Sequence, residues 1–218
     1  MKVLGLSGFA GAGKDSVAAI LCKQGWARLA FADALKSVAY ATDPFIGVNF
    51  KHQVFDAPTH YVRLSKFVDD VGWDRAKTQP DVRRFLQRLG TEGCRDHLGL
   101  TIWADVVAQR IVRLDAEQRG FASVAIAGVV VTDVRFKTEH EALLGLVAPH
   151  LNSISFRTAE VVREGHTPPN THRSELEWAN LAFDTTILNP GPDAPNSWDR
   201  LAEAVDFAIT TELWPEPV

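Results

Sequence analysis

Short apolar runs alternate along the chain with stretches of helical period. Residues 3–7 are apolar and run into glycines, the pattern of a buried parallel strand. Residues 13–24 carry Val17, Ile20 and Leu21 at helical spacing, and Gly25 closes that helix. Residues 26–31 read as a second strand, and Asp33 opens a helix through Ala41 that Asp43-Pro44 stops. From Asp43 to about Pro80 the periodicity weakens, and an inserted segment with one or two short helices is expected. Pro80-Asp81 starts a clear helix with Val82, Phe85, Leu86 and Leu89 as its apolar stripe, and Gly90 is expected to end it. Thr101 caps the next helix, with Trp103, Val106, Val107, Arg110 and Ile111 following. Residues 124–132 form the strongest strand, apolar on both faces as in the middle of a covered parallel sheet. A helix over 136–147, a strand over 151–156, a polar loop over 157–173 and a short helix from about Ser174 follow. A last strand over 185–188, a Pro/Gly loop over 189–196 and a helix capped by Ser197 complete the chain.

Five such strands alternating with helices predict an α/β fold with a central parallel sheet and right-handed crossovers. Two stretches break the rhythm, 43–120 (mostly helical) and 157–173 (mostly loop). Leaving from the carboxyl ends of strands, both would sit on the rim where such sheets bind ligands.

Composition narrows the classes. With 218 residues, 46% apolar and 23% charged, the chain can bury a core without disulfides or metals. Lys and Arg number 23 against 27 acids, a net charge of −4, which argues against a broad basic surface for nucleic acid or membranes while leaving room for a local basic pocket. The longest nearly continuous apolar run, 124–131, is too short to span a bilayer, and the first residues lack signal-peptide anatomy. Cys22 and Cys94, without CxxC spacing, fit reduced thiols in a cytoplasm and give neither a disulfide framework nor a zinc site.

The candidate chemistry lies between the first strand and the first helix. Gly8-Phe9-Ala10-Gly11-Ala12-Gly13-Lys14 fits GxxxxGK, the phosphate-binding loop. Glycines let successive backbone N–H groups curl around a polyphosphate, the helix N-terminus adds its dipole, and Lys14 supplies a full charge to the β/γ phosphates. A glycine-rich turn that binds nothing is the bland alternative; spacing, lysine and context together disfavour it. The residue after the lysine is usually Ser or Thr and here is Asp15, followed by Ser16. Either can approach Mg²⁺ directly or through water; Asp15 can instead lie near the transferred group, or simply be a dipole-favoured acid. Asp133, at the end of the strongest strand, stands where such enzymes hold Mg²⁺ or its water, and Arg135 would share that rim.

Arg83, Arg84, Gln87 and Arg88 occupy adjacent turns of one helix, with Arg95 following. Alone they would read as a solvated face; beside a phosphate loop they offer guanidinium donors for a second phosphate. Trp103, or less favourably Trp73, is a candidate to stack on a base, core packing being the alternative and the better reading for Trp73. Ser174 with Glu177 matches a capping box. Arg157, Arg163 and Arg173 are candidates for a lid that closes over the phosphates and excludes water.

Taken together, these stretches resemble the deoxynucleoside monophosphate kinases of tailed bacteriophages, within the adenylate-kinase-like P-loop kinases. The resemblance covers most of the chain in order. It rests on Ser7-Gly8-Phe9-Ala10-Gly11-Ala12-Gly13-Lys14-Asp15-Ser16, Phe31-Ala32-Asp33-Ala34-Leu35-Lys36, Gly72-Trp73-Asp74 and Arg83-Arg84-Phe85-Leu86-Gln87-Arg88-Leu89-Gly90-Thr91-Glu92. Trp103, Thr132-Asp133-Val134-Arg135-Phe136, His172-x-Ser174-Glu175 and a late Asp184…Asn189 complete it. Lys137-Thr138-Glu139 departs from the Asn-Glu that the family often carries there.

The resemblance implies a P-loop NTPase three-layer α/β sandwich in one domain over 1–218, with 43–120 a helical nucleoside-monophosphate-binding insert and 157–173 a short lid. It implies ATP-dependent phosphorylation of deoxynucleoside 5′-monophosphates, with ATP and Mg²⁺, in a cytoplasm (the host's if the chain is phage-encoded). It implies a functional Asp15 and an acceptor set of Asp33, Lys36, Arg83, Arg84, Gln87, Gly90, Thr91, Glu92 and Trp103. The acceptor phosphate would be clamped by Arg84 and Arg135, with Arg63 and Arg95 nearby. Neither a membrane nor direct nucleic-acid binding is expected, and a homodimer is plausible. Two rivals remain: a kinase of another phosphorylated small molecule, such as dephospho-coenzyme A, and a P-loop NTPase that drives a partner.

Overall fold

Strands β1 (Lys2–Ser7), β2 (Trp26–Leu29), β5 (Gly128–Val131), β6 (Ser155–Arg163) and β7 (Thr185–Asn189) form one sheet in the order β2-β5-β1-β6-β7. All four pairings are parallel. The computed structural model describes residues 1–48, 60–120, 125–132, 134, 136–150, 153–166 and 182–215. They fall into two compact units, Met1–Phe31 with Ala104–Val218, and Ala32–Trp103. Residues 32–42 fall in the second unit with residues 43–103 of the expected insert, and residues 104–120 fall in the first.

In the first unit β1 is central and apolar because both of its faces are covered. Leu4 and Leu6 share a core with Val130 of β5, Ala159 and Val161 of β6 and Ile187 of β7. Val17, Ala18, Ile20 and Leu21 of α1 (Lys14–Lys23) pack there too, with Leu201 and Val205 of α8 (Ser197–Phe207). Val3, Val129 and Val131 alternate to the opposite face and are also fully buried. On that face the ring of His140, on α7 (Lys137–Val147), lies 5.8 Å from Phe156. Burial holds the His140 imidazole below its ordinary pKa, against smaller opposing pulls from Asp184 and Glu141. Glu139 is buried, and its carboxylate accepts from the Phe136 backbone N–H at 3.1 Å, so it caps α7.

Several sequence expectations are corrected here. The second strand stops at Leu29, and Phe31 already opens α2 (Phe31–Thr42). The strand expected over 124–132 runs only over Gly128–Val131 among the described residues. The strand expected to end at 156 runs from Ser155 to Arg163. Its polar residues disguised it: Arg157, Glu160 and Arg163 interrupt the alternation, yet the segment pairs with β1 and β7. Arg157 and Arg163 therefore stand on a strand, not in a loop. Asn196, with φ 51°, occupies the cap position expected for Ser197.

The second unit holds an antiparallel pair the sequence reading missed, β3 (Phe45–Val48) with β4 (His60–Arg63). Helix α3 (Leu64–Ala76) follows, broken at Gly72, and then α4 (Pro80–Arg88). Ala39, Ile46, Val48, Leu64, Phe67, Val68, Val82 and Leu86 make its core. Two aspartates fasten it. Asp43 accepts the Ser65 backbone N–H at 2.8 Å, and that bond holds its carboxyl below the usual carboxylate value. Asp81 accepts the Gly47 backbone N–H at 2.7 Å, tying β3 to α4.

Gly90 does not end the helix. It is buried and a Cβ there would meet Leu35 at 3.0 Å, so it serves close packing. The chain continues as a π-helical stretch, Leu89–Arg95, and a turn, α5 (Asp96–Leu98). It stops at Gly99, whose φ of 114° no other residue adopts cheaply. Helix α6 (Ile102–Arg119) starts in this unit and continues into the first.

Candidate phosphate-binding site

The crossover from β1 leads to β2 on one side of the sheet, whereas that from β5 leads to β6 on the other. Crevices at the carboxyl ends of strands open where such connections diverge. The loop over 8–13 leaves β1 there and enters α1.

Its glycines are required by geometry. Gly8, Gly11 and Gly13 have φ of 137°, 82° and 103°. A Cβ on Gly8 would lie 2.4 Å from the Val161 carbonyl oxygen, and one on Gly13 2.1 Å from Asn189 Nδ2. Lys14 is 7% exposed and folds back over the loop. Its ammonium donates to the Gly8 carbonyl at 2.6 Å and the Phe9 carbonyl at 2.9 Å. A buried cation thus stands at a helix N-terminus beside a curled backbone, an arrangement suited to anions.

Beside the loop lies a cavity of about 260 Å³, lined by Gly11, Gly13, Ser16, Arg163, Asn189 and Trp198, among others. Asp15 is exposed instead, and its carboxylate pairs with Arg28 at 3.4 Å. Ser7, buried at the end of β1, donates its hydroxyl to the Val134 carbonyl. Arg163 donates to the Gly11 carbonyl at 3.4 Å, and His166 Nε2 lies 2.7 Å from the Ala10 carbonyl. Asn189 donates to the Ala12 carbonyl at 2.8 Å. The sequence reading gave none of these three a role in holding the loop. Their one sequence signal is position, at or just past the carboxyl ends of β6 and β7.

Asp133, Arg135 and Arg173 lie outside the described residues, as does the capping box at Ser174 and Glu177. Thr132, next to Asp133 along the chain, is described: its hydroxyl is buried with no hydrogen-bond partner among the described residues. Ser16 reaches the cavity beside the loop, and Mg²⁺ in phosphoryl-transfer sites takes few protein ligands besides the phosphates. Ser16 thus brings one oxygen donor of the kind that ion takes to the cavity beside the loop. Among the described residues no group of three His, Cys, Asp or Glu could hold a metal alone, and no helix is long and apolar enough to cross a membrane.

The acceptor candidates divide within the second unit. Asp33 and Lys36 pair at 3.1 Å on α2 and line a cavity of about 360 Å³ with Ser37, Tyr40 and Trp73. The Tyr40 hydroxyl bonds both carboxylate oxygens of Asp69, at 2.9 and 3.0 Å, which raises its pKa. Arg84 and Glu92 line a larger cavity, about 640 Å³, with Phe45, Phe85, Arg88 and His97. Arg84 pairs with Asp81, and Arg88 with Glu92 at 3.1 Å. Arg83 and Gln87 are exposed on α4, and Thr91 and Arg95 stand in the π-helical stretch. Arg63, over the Phe45 ring at 4.1 Å, donates to the Asp43 carbonyl at 2.8 Å.

Of the two tryptophans, Trp103 departs from the expectation. Trp103 is 6% exposed and its indole N–H donates to the Gly90 carbonyl at 3.1 Å, so it packs in the interior and offers no stacking face. Trp73 packs half-buried against the core of the second unit, as expected, and also lines a cavity.

No family model and no curated protein matches the chain. Among solved structures, one similar chain is an unliganded sugar kinase from Janibacter sp. HTCC2649. The identity is 13% over 98% of this chain and 95% of that one, with a TM-score of 0.41. At that similarity the match carries no argument about substrate or chemistry.

Proposed function

We propose that the protein is a P-loop phosphotransferase that moves the γ-phosphoryl group of ATP to a deoxynucleoside 5′-monophosphate, releasing ADP and the diphosphate. The observation that carries this reading is the loop over 8–14: three left-handed glycines with no room for side chains, and a buried lysine over its carbonyls at the N-terminus of α1. The adjoining cavity, with Arg163 and Trp198 on its wall, suits the nucleoside of the donor.

In this reading the loop amides hold the β and γ phosphates. Lys14 exchanges the Gly8 and Phe9 carbonyls for phosphate oxygens, so its charge is delivered without a long reach. Ser16, with Asp133 and Asp15 as further candidates, would hold Mg²⁺, which would neutralise phosphate charge. The acceptor phosphate is an anion already, so no general base with a shifted pKa is needed; rate comes from positioning and charge. Lys36, Arg63, Arg83, Arg84, Gln87, Arg95 and Arg135 of the acceptor set supply donors for it, Asp33 and Glu92 accept from the nucleoside or hold those cations, and Trp73 replaces Trp103 as the ring platform. Arg157, Arg163 and Arg173 remain candidates to supply transition-state charge.

The test is ADP release with ATP, Mg²⁺ and dGMP, dTMP, dCMP, dAMP or their ribo counterparts. Turnover of at least one deoxynucleotide is expected. Turnover of dephospho-coenzyme A alone, or hydrolysis unaffected by any acceptor, overturns it.

A further inference from the structure

The outer side of the phosphate loop is held by a row of side chains. The carbonyls of residues 8 to 12 each meet one: Lys14 at Gly8 and Phe9, His166 at Ala10, Arg163 at Gly11 and Asn189 at Ala12. These come from α1, from the end of β6 and its following turn, and from the end of β7. Lys14 has its own role, and the His166 and Arg163 contacts are exposed. Asn189 differs. It is neutral and 9% exposed, and it carries a second bond in which its Oδ1 accepts the Gly191 backbone N–H at 3.0 Å. Its backbone carbonyl accepts from the Glu164 N–H at 2.9 Å, which locks the ends of β6 and β7 together.

A trans peptide is planar, so the Ala12 carbonyl and the Gly13 N–H point in opposite directions. By holding the carbonyl, Asn189 sets the direction of the Gly13 N–H, and it sits where a Gly13 side chain would be. We infer that Asn189 is a positioning residue for the phosphate loop: it turns the Ala12–Gly13 peptide so that the Gly13 N–H faces a bound polyphosphate. The inference rests on the phosphate-loop reading above and not on the identity of the acceptor. Preset donors cost no reorganisation when the anion arrives, which is why one neutral amide matters to affinity.

The experiment measures binding of inorganic tripolyphosphate and of ATP to the full chain by calorimetry, with the ligand-free amide spectrum recorded alongside. Asn189→Leu removes both side-chain bonds at similar volume. Asn189→Asp keeps the acceptor for Gly191 and loses the donor to Ala12 above the titration of the new carboxyl. Both are expected to weaken tripolyphosphate about tenfold or more, the scale of one lost bond to a charged group, and to shift the Gly13 amide resonance in the ligand-free chain. Only Asn189→Asp is expected to recover on acidification, because the protonated carboxyl regains a donor for the Ala12 carbonyl. If Asn189→Leu does not fold, the Asn189→Asp pH series decides. Wild-type binding with both variants within about twofold of it overturns the Asn189 role alone. A wild-type chain that binds neither tripolyphosphate nor ATP overturns the phosphate-loop reading and this inference with it.

Discussion

The two units differ in where their long-range polar contacts converge. In the first, Arg163, His166 and Asn189 reach from distant parts of the chain to the backbone of residues 10–12, beside Lys14 on the neighbouring carbonyls of residues 8 and 9. In the second, the ion pairs join near neighbours, such as Asp33 with Lys36, Lys66 with Asp70, Asp81 with Arg84 and Arg88 with Glu92, and the long-range bonds of Asp43 and Asp81 fasten that unit's own backbone. Local pairs on exposed helices contribute little to stability and can be exchanged for a ligand at small cost. Long-range contacts to a strained loop cannot be exchanged without moving the loop. The lesson is that the first unit is built to keep one geometry and the second carries charges that remain available.

The largest effect that would sharpen this contrast comes from Lys14→Met. It should lower kcat/KM by about 10²–10³-fold, the scale of losing one preorganised electrostatic contact to the transition state, while the protein stays folded. Activity within a few-fold of wild type would break the phosphate role of Lys14. Next is Gly8→Ala, whose Cβ would stand 2.4 Å from the Val161 backbone oxygen at φ 137°. Strain of this kind costs about 1–3 kcal/mol, so thermal unfolding should fall measurably and nucleotide binding should be lost. An unchanged melting temperature would show that the loop is less tightly specified than its contacts imply.

Arg84→Ala tests the other unit. The side chain is 73% exposed, so loss of the Asp81 pair should alter stability by less than about 1 kcal/mol. The acceptor KM should rise about tenfold, as expected when a charged donor to phosphate is removed. A stability change without a KM change would make Arg84 a purely local partner.

The smallest effect is on pH dependence in the first unit. Burial lowers the His140 pKa in the fold, so below about pH 6.5, the ordinary histidine value, the unfolded chain takes up a proton the folded one resists. Stability should therefore decline as pH falls from 7.5 to 5.5. In His140→Leu that part of the decline should vanish. An identical pH profile of the melting temperature in both proteins would remove His140 as its source.

How far the sequence could be read follows the same division. Residues 3–7 and 14–23 were legible because a buried strand and an amphipathic helix leave periodic traces, and the GxxxxGK spacing is local. β6 was misread because its charged residues mimic a loop, and only its pairing with β1 and β7 makes it a strand. The β3–β4 pair was invisible because four-residue strands carry too few positions to show alternation. Gly90 looked like a helix end, but its packing against Leu35 uses the missing side chain for close approach rather than for a turn. The candidate site divided likewise: Lys14 and Ser16 were named from the motif, whereas only burial separated the enclosed Trp103 from Trp73, which lines a cavity.

The sequence alone thus determined the alternation of strands and helices, the glycine-lysine loop and its place between β1 and α1, because those features depend on residues near one another. The tertiary structure decided which distant side chains hold that loop, which arginines stand on a strand, and which tryptophan faces a cavity. Those outcomes depend on strand order, and strand order places Arg163 and Asn189 beside Gly11 and Ala12 although about 150 and 180 residues separate them along the chain.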